Sequence, residues 1–301
     1  FIPTGTTSYL TFYIVTADRV GDISALSVRL ADIDRSVNAN GLQVNGTITK
    51  TAVATGADLV GYSGFSSSNY LEQPYNQDIV DAIESDSVAY MTWYKNSDSG
   101  TTKMLLWGEQ LTGGVYVGLY FNTDGKLNWY VDDATTSYDS ITHSTATSDG
   151  NWHFAVSTIE DDVIRLYVDG TLLATTSRVN AINFNLDSTF KIHFGFRTSD
   201  SSYPFTNGSM ALARISATVP SAEQIKEIYE AEKVLFQTNA KATLNGSSDA
   251  VTALAYDDST ELLHVGTSGG RSTFQGLRRV EENTNAITEL AAQGGMIVEE
   301  Y

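Results

Sequence analysis

Between Asp149 and Ser177 (DGNWHFAVSTIEDDVIRLYVDGTLLATTS) apolar and polar positions alternate in three runs, each ended by a turn. Period-two alternation predicts β-strands, because successive side chains leave a strand on opposite faces. The first strand runs from Trp152 to Ile159 and carries Trp152, Phe154 and Val156 on one face. After an Asp161-Asp162 turn, a second strand groups Ile164, Leu166 and Val168. Asp169-Gly170 then reads as a tight hairpin, since glycine accepts the positive φ such turns need, and a third strand returns through Leu172 to Thr176.

The alternation recurs along the chain. Ser87 to Lys95 (SVAYMTWYK) is a predicted strand, and Val115 to Val131 is a strand pair hinged on Thr123-Asp124-Gly125-Lys126. In that pair Val115, Val117, Leu119 and Phe121 face inward with Leu127, Trp129 and Val131. Tyr116, Tyr120, Asn128 and Tyr130 are left on the outer face, and Arg165 and Tyr167 stand opposite Ile164, Leu166 and Val168 in the same way. Further strand candidates lie at Tyr9 to Thr16, Ala25 to Leu30 and Leu42 to Thr49. SAEQIKEIYEAEK has helical periodicity, with Glu227, Glu230 and Glu232 expected on its solvated face. Val251 to Val265 reads as two strands around Asp257-Asp258-Ser259-Thr260, ending in a glycine-rich turn, and Glu282 to Ala292 reads as a short helix.

Taken in order, these segments resemble the laminin-G-like, or concanavalin A-like, jelly roll. Gly64 to Leu71 (GFSSSNYL) is similar to that family's early F-x-G-x-x-x-Y-L strand, with Ser67 in place of the usual glycine. The Trp93 strand, the middle hairpin and the "VDG" hairpin follow in the expected sequence. Met210 to Ile215, then Ser221-Ala222-Glu223-Gln224-Ile225, resemble the closing strand and trailing helix. The resemblance implies an all-β jelly-roll β-sandwich over residues 53–236, flanked by a β-rich segment at 1–52 and a hairpin module with a tail at 237–301. The 251–270 unit also resembles a β-propeller half-blade or fibre repeat. Such units beside a laminin-G-like domain are similar to segments of bacteriophage tail-fibre and other virion structural proteins.

Composition narrows the function. Hydrophobic residues at 42% against 18% charged mark a globular chain. A net charge of −18 argues against nucleic acid as a partner, because phosphate neutralisation needs a basic surface. With no cysteine, there are no disulfides, thiolate metal sites or cysteine nucleophiles. No apolar run approaches the roughly 20 residues that span a bilayer. The chain opens at Phe1 rather than Met, which fits a processed polypeptide or a piece of a longer one, and FIPTGTTSYL lacks the blocks of a signal peptide.

Enzyme signatures are missing. The E-x-D-x-x-E of related glycoside hydrolases, the G-x-S-x-G elbow and a phosphate loop do not occur, and His143, His153, His193 and His264 have no ligand spacing. His153 is expected on the sheet surface opposite Trp152 and Phe154. Calcium is the candidate ion, since laminin-G-like domains often hold one at a rim and oxygen ligands suit it. The carboxylates in question are Asp132, Asp133, Asp161 and Asp162, with Asp124 and Asp200 as lone loop residues; ordinary acidic turns, in which Asp bonds its own turn backbone, are the better explanation of them. Tyr116, Tyr120, Tyr130 and Tyr167 form an outer tyrosine face, with Tyr203 and Phe205 on a loop at a sandwich end. Such a face stacks on sugar rings or packs on a neighbouring subunit, where tyrosine is also enriched.

The sequence thus points to a non-enzymatic virion structural and adhesion protein, of a phage tail or its fibres. Its lectin-like domain meets host surface polysaccharide or other virion proteins, in a homo-oligomer that would be a trimer in a fibre. The alternative is a bacterial secreted or cell-surface carbohydrate-binding module, with an intact hydrolase third.

Overall fold

The computed structural model describes residues 31–32, 40–110, 113–134, 138–178, 184–199, 203–246 and 250–301. The strand candidates Tyr9 to Thr16 and Ala25 to Leu30, and Asp200, lie outside them. Along the chain, β1 (Ala31–Asp32), β2 (Leu42–Asn45), β3 (Thr49–Ala52), β4 (Val60–Ser63) and β5 (Tyr70–Gln73) precede α1 (Gln77–Glu84). Then come β6 (Ser87–Asn96), β7 (Lys103–Gln110), β8 (Val115–Phe121), β9 (Leu127–Asp132) and β10 (Asp139–Thr142). β11 (Trp152–Glu160), β12 (Val163–Val168), β13 (Thr171–Ser177), β14 (Lys191–Phe194) and β15 (Gly208–Ser216) follow. They lead to α2 (Ala222–Glu232) and a 3-10 turn at Lys233–Phe236.

These strands build two antiparallel sheets, ordered β1-β2-β5-β14-β7-β8-β9-β10 and β13-β12-β11-β6-β15-β4-β3. This is the expected all-β jelly-roll sandwich. The period-two faces meet between the sheets, where Val117, Leu119, Phe121, Leu127, Trp129, Ile164 and Leu166 are fully buried. Burying such side chains contributes about 1.5–3 kcal/mol each, the main term holding the layers together. Strands β2 and β3 come from the segment before residue 53 yet sit in opposite sheets, so the division expected at 52 runs through the sandwich. Short strands too small to stand alone are stabilised by pairing onto the edge of a larger sheet.

The seven-stranded sheet carries a second apolar layer on its outer side. Trp152, Phe154 and Val156 share a face as the alternation requires, but that face packs outward with Met91, Trp93 and Tyr167 beneath Ile225 of α2. Helix α2 starts with a full capping box, in which Ser221 and Gln224 satisfy each other's backbone N–H. Glu227 and Glu230 are exposed as expected, whereas Glu232 is buried and accepts from Arg214 and the Trp93 indole, correcting the all-solvated reading of that face. At the "VDG" hairpin both Asp169 (φ 52°) and Gly170 (φ 74°) are left-handed, and the Asp169 carboxylate accepts the Phe154 N–H at 2.9 Å.

Beyond residue 250, β16 (Val251–Asp257), β17 (Leu262–Thr267), β18 (Gly270–Gln275) and β19 (Arg278–Asn283) form a four-stranded meander, and β20 (Glu289–Gln293) pairs only with β21 (Met296–Glu300). The segment Glu282 to Ala292, expected as a helix, is instead the end of β19, a non-helical connection over 284–288 and most of β20. Gly294-Gly295, both at positive φ, close the β20–β21 hairpin, while Leu290 packs over Gly266. Strand pairing with β21 across this glycine turn, together with the Leu290 contact, overrides the helical preference of Glu-Leu-Ala-Ala. Asp257 ties this hairpin down by accepting the Ser259 hydroxyl and the N–H groups of Ser259, Gly294 and Gly295, which hold its carboxyl well below the usual range.

Candidate functional site

The outer face of the eight-stranded sheet is built by cross-strand register. Glu72 of β5 stands opposite His193 of β14, His193 opposite Trp107 of β7, Trp107 opposite Gly118 of β8, and Gly118 opposite Tyr130 of β9. The flanking rows bring Glu109 beside Tyr116, and Met104 beside Tyr120. Gly118 decides how this surface is filled. A Cβ there would stand 2.2 Å from the Trp107 ring, so the missing side chain lets the indole lie across β8.

Tyr116 and Tyr130 gather around Trp107 at ring-centroid distances of 5.7 Å each, with Tyr120 edge-on at 6.3 Å. Tyr138, exposed, continues the row by stacking on Tyr130 at 4.9 Å. The loop after β14 supplies the far wall. There the Arg197 guanidinium lies over Trp107 (5.4 Å) and over Tyr203 (5.0 Å). With Thr102, Met104 and Ser199, these residues apart from Tyr138 line an open cavity of about 490 Å³. That is within the range of small-ligand sites.

Burial raises the Tyr120 and Tyr130 phenols above their ordinary pKa, and the Asp132 carboxylate, accepting from the Tyr130 hydroxyl at 3.0 Å, pushes Tyr130 further up. Both stay protonated at neutral pH. Beside the pocket, on the same face of the sheet, lies a polar row. His193 places Nε2 3.3 Å from Glu72 and Nδ1 3.3 Å from Glu109, and Lys191 reaches Glu72 at 3.0 Å. The hydrogen bond from His193, helped by Lys191 and opposed by burial, pulls Glu72 down to about 2. Glu109 also accepts the N–H groups of Thr198 (2.8 Å) and Ser199 (3.3 Å).

Of the expected tyrosine face, Tyr116, Tyr120, Tyr130 and Tyr203 come together here. Tyr167 does not, because it sits on the other sheet and is covered by the α2 layer. Phe205 does not either: Pro204 breaks the alternation, and the ring is fully buried between the sheets against Phe121 at 5.9 Å. Trp107, Arg197 and Glu109 were not anticipated. A bulge between Met104 and Leu106 disturbs the period of Lys103–Gln110, and Arg197 arrives from a loop. The Trp-Gly pair (Trp107, Gly118) is the signal that points to them, visible only once β7 and β8 are aligned.

The acidic candidates lie elsewhere. Asp133 is buried and within 3.5 Å of Arg178, which also bonds Asp139 at 2.7 Å. Asp132 accepts from Tyr130 and the Ala134 N–H. Asp161 and Asp162 form the left-handed β11–β12 turn, where the Asp162 N–H donates to Asp86 and its carbonyl accepts from Arg178. Asp124 lies in the β8–β9 turn, its N–H bonded to Asn122. Among the described residues, no three His, Cys, Asp or Glu side chains converge as a metal cage would require. His153 does oppose Trp152 and Phe154, but on the inward side at the sandwich rim, its ring against Tyr94 and bonded to Asp169 (2.7 Å) and Asp149 (3.2 Å). Asp169 raises its pKa above the ordinary value.

No curated protein matches the sequence. Among solved structures, the receptor binding domain of botulinum neurotoxin C/D mosaic serotype superposes with a TM-score of 0.55 at 16% identity, over 81% of this chain and 59% of that one. The binding domain of botulinum neurotoxin DC in complex with SialylT gives 0.54 at 14% identity, over 86% and 61%. This chain thus spans under two thirds of those toxin domains. Domain 4 of AbnA, a GH43 extracellular arabinanase from Geobacillus stearothermophilus, in complex with arabinotriose, gives 0.52 at 13% identity, over 66% and 93%. These likenesses establish a shared sandwich. The family model of the concanavalin A-like lectin/glucanases superfamily matches residues 65–226, just over half of the sequence and the stretch that supplies β5 to β15 of the two sheets, and the chain belongs to that superfamily.

Proposed function

We propose that this is a non-catalytic glycan-binding protein whose ligand enters the Trp107–Tyr130–Arg197 pocket. One observation carries the reading: an open cavity on a rigid sheet, walled by aromatic rings, protonated phenols and a guanidinium, the groups that stack on sugar rings and hold their hydroxyls. The SialylT and arabinotriose complexes of two structures with the same sandwich support it. Hydrolysis is a poorer fit. A retaining pair of carboxylates faces the scissile bond from about 5 Å apart. Glu72 and Glu109 instead flank the His193 ring, and both are buried.

The setting is a surface outside the host cell, a phage tail or fibre on the resemblance of the flanking units, or a secreted module. On a particle, many weak sites act together by effective concentration. The reading of an interface between subunits attaches better to the C-terminal module, where Leu254, Tyr256, Met296 and Val298 are exposed, than to the tyrosine pocket.

The test is a glycan array followed by titration, with and without calcium. Tyr116→Ala is expected to weaken binding about tenfold, the worth of one good ring contact. Gly118→Ala, which drives Trp107 off β8, should do so at least as much, and Tyr167→Ala should leave affinity unchanged. Equal effects of Tyr116→Ala and Tyr167→Ala, or release of reducing ends from polysaccharide, would defeat the proposal.

A further inference from the structure

We infer that Glu109 is a positioning residue that fixes the loop wall of the pocket, and through it the affinity for glycan. The part concerning affinity rests on the function proposed above; the latch itself does not.

The loop between β14 and β15 is fixed at its roots by backbone bonds. Gly195 donates to Leu105 (2.9 Å), Phe205 donates to Gly195 (2.8 Å), and Tyr203 accepts from Met104 (2.9 Å). Just after the first root, Thr198 and Ser199 are exposed. Their N–H groups point down at one carboxylate, Thr198 to Oε1 and Ser199 to Oε2 of Glu109, and the Thr198 hydroxyl also donates to Oε1. Arg197 and Ser199, which line the cavity, flank or form this clamp.

Glu109 is almost wholly buried, with the His193 ring at its back. A buried carboxylate is a costly way to fill a sheet, since an apolar residue of similar volume is often neutral or better for stability. Its partners here are amides of an exposed loop rather than of the sheet. The position therefore serves geometry more than the sandwich. Binding constellations need such support, because side chains misplaced by about 1 Å lose their fit.

The experiment uses the full chain as wild type, Glu109→Gln, Thr198→Val and Thr198→Ser. Hydrogen exchange at neutral pH reads the Thr198 and Ser199 amides, and titration reads affinity for arabinotriose and for the strongest oligosaccharide on the array. Glu109→Gln leaves at most one amide with an acceptor. It should speed exchange of at least one of the two amides about tenfold or more and weaken binding about tenfold, while β7 and β14 keep their protection. Thr198→Val keeps the shape and loses the hydroxyl, so a few-fold loss is expected; Thr198→Ser keeps the hydroxyl and should stay within about twofold of wild type. A role in packing alone would reverse the Val and Ser results and overturn the inference. Unchanged exchange in Glu109→Gln overturns the latch, and faster exchange with unchanged affinity overturns its link to binding. A wild type that binds nothing on the array defeats the proposed function and the affinity claim with it, and the exchange data still decide the latch.

Discussion

Glu232→Ala is expected to destabilise the protein by about 3 kcal/mol. The carboxylate at the end of α2 takes the Arg214 guanidinium in both arms, at 2.6 and 2.8 Å, and the Trp93 indole N–H at 2.7 Å. Trp93 in turn lies between Tyr229 (5.6 Å) and Phe236 (4.2 Å), so the ion pair and the ring stack hold the same helix on the same sheet. Removing the carboxylate leaves a buried N–H and a guanidinium without their acceptor, the costly way to break a buried pair. Arg214 is 37% exposed, so water repairs part of the loss and the figure stays at the low end. A fall of roughly 6–12 °C in Tm follows for a chain of this size. Glu232→Gln, which keeps one acceptor, should lose about half as much. Urea and thermal unfolding measure both, and a double-mutant cycle with Arg214→Ala isolates the pair. A loss below about 1 kcal/mol in Glu232→Ala would mean that apolar packing alone docks α2.

Acid should remove about 2–3 kcal/mol through Glu72. Folding lowers this carboxyl from 4.5 to about 2, chiefly by the His193 hydrogen bond. A depressed carboxyl pKa means that the unfolded chain takes up the proton first. The stabilisation is complete above about pH 4.5 and is lost as pH falls from there towards 2. The full shift converts to roughly 3 kcal/mol, less a discount because Glu72 shares His193 with Glu109. Urea unfolding of wild type and Glu72→Gln between pH 7 and pH 2 reads it as a difference, which cancels the other carboxylates. The variant should be less stable at pH 7, and the two curves should converge in acid. Parallel curves would show that the His193 row does not stabilise the sheet through charge.

Much of the sandwich was legible in the alternation. Val115 to Phe121 and Leu127 to Val131 point inward as their period dictates, and Tyr116, Tyr120 and Tyr130 point outward. The Asp-Gly and acidic turns fall where their chemistry places them. Period two, however, assigns a side chain to a face and not to an environment. Trp152, Phe154 and Val156 share a face, but that it lies under α2 rather than between the sheets depends on where the helix docks. Tyr167 resembles Tyr116 in its strand pattern and differs only in what covers it.

The sequence by itself determined the strand faces and hairpins of the sandwich, the trailing helix and the superfamily, because these rest on contacts a few residues apart or on the chirality of single positions; the β20–β21 hairpin it did not. Only the tertiary structure decided the site. Trp107 lies flat because Gly118, on a neighbouring strand, has no side chain. Arg197 reaches the pocket on a loop from β14, and Glu109 becomes its anchor through register across β7 and β14. Register and sheet order are set by the packing of both layers at once, and no local pattern encodes them.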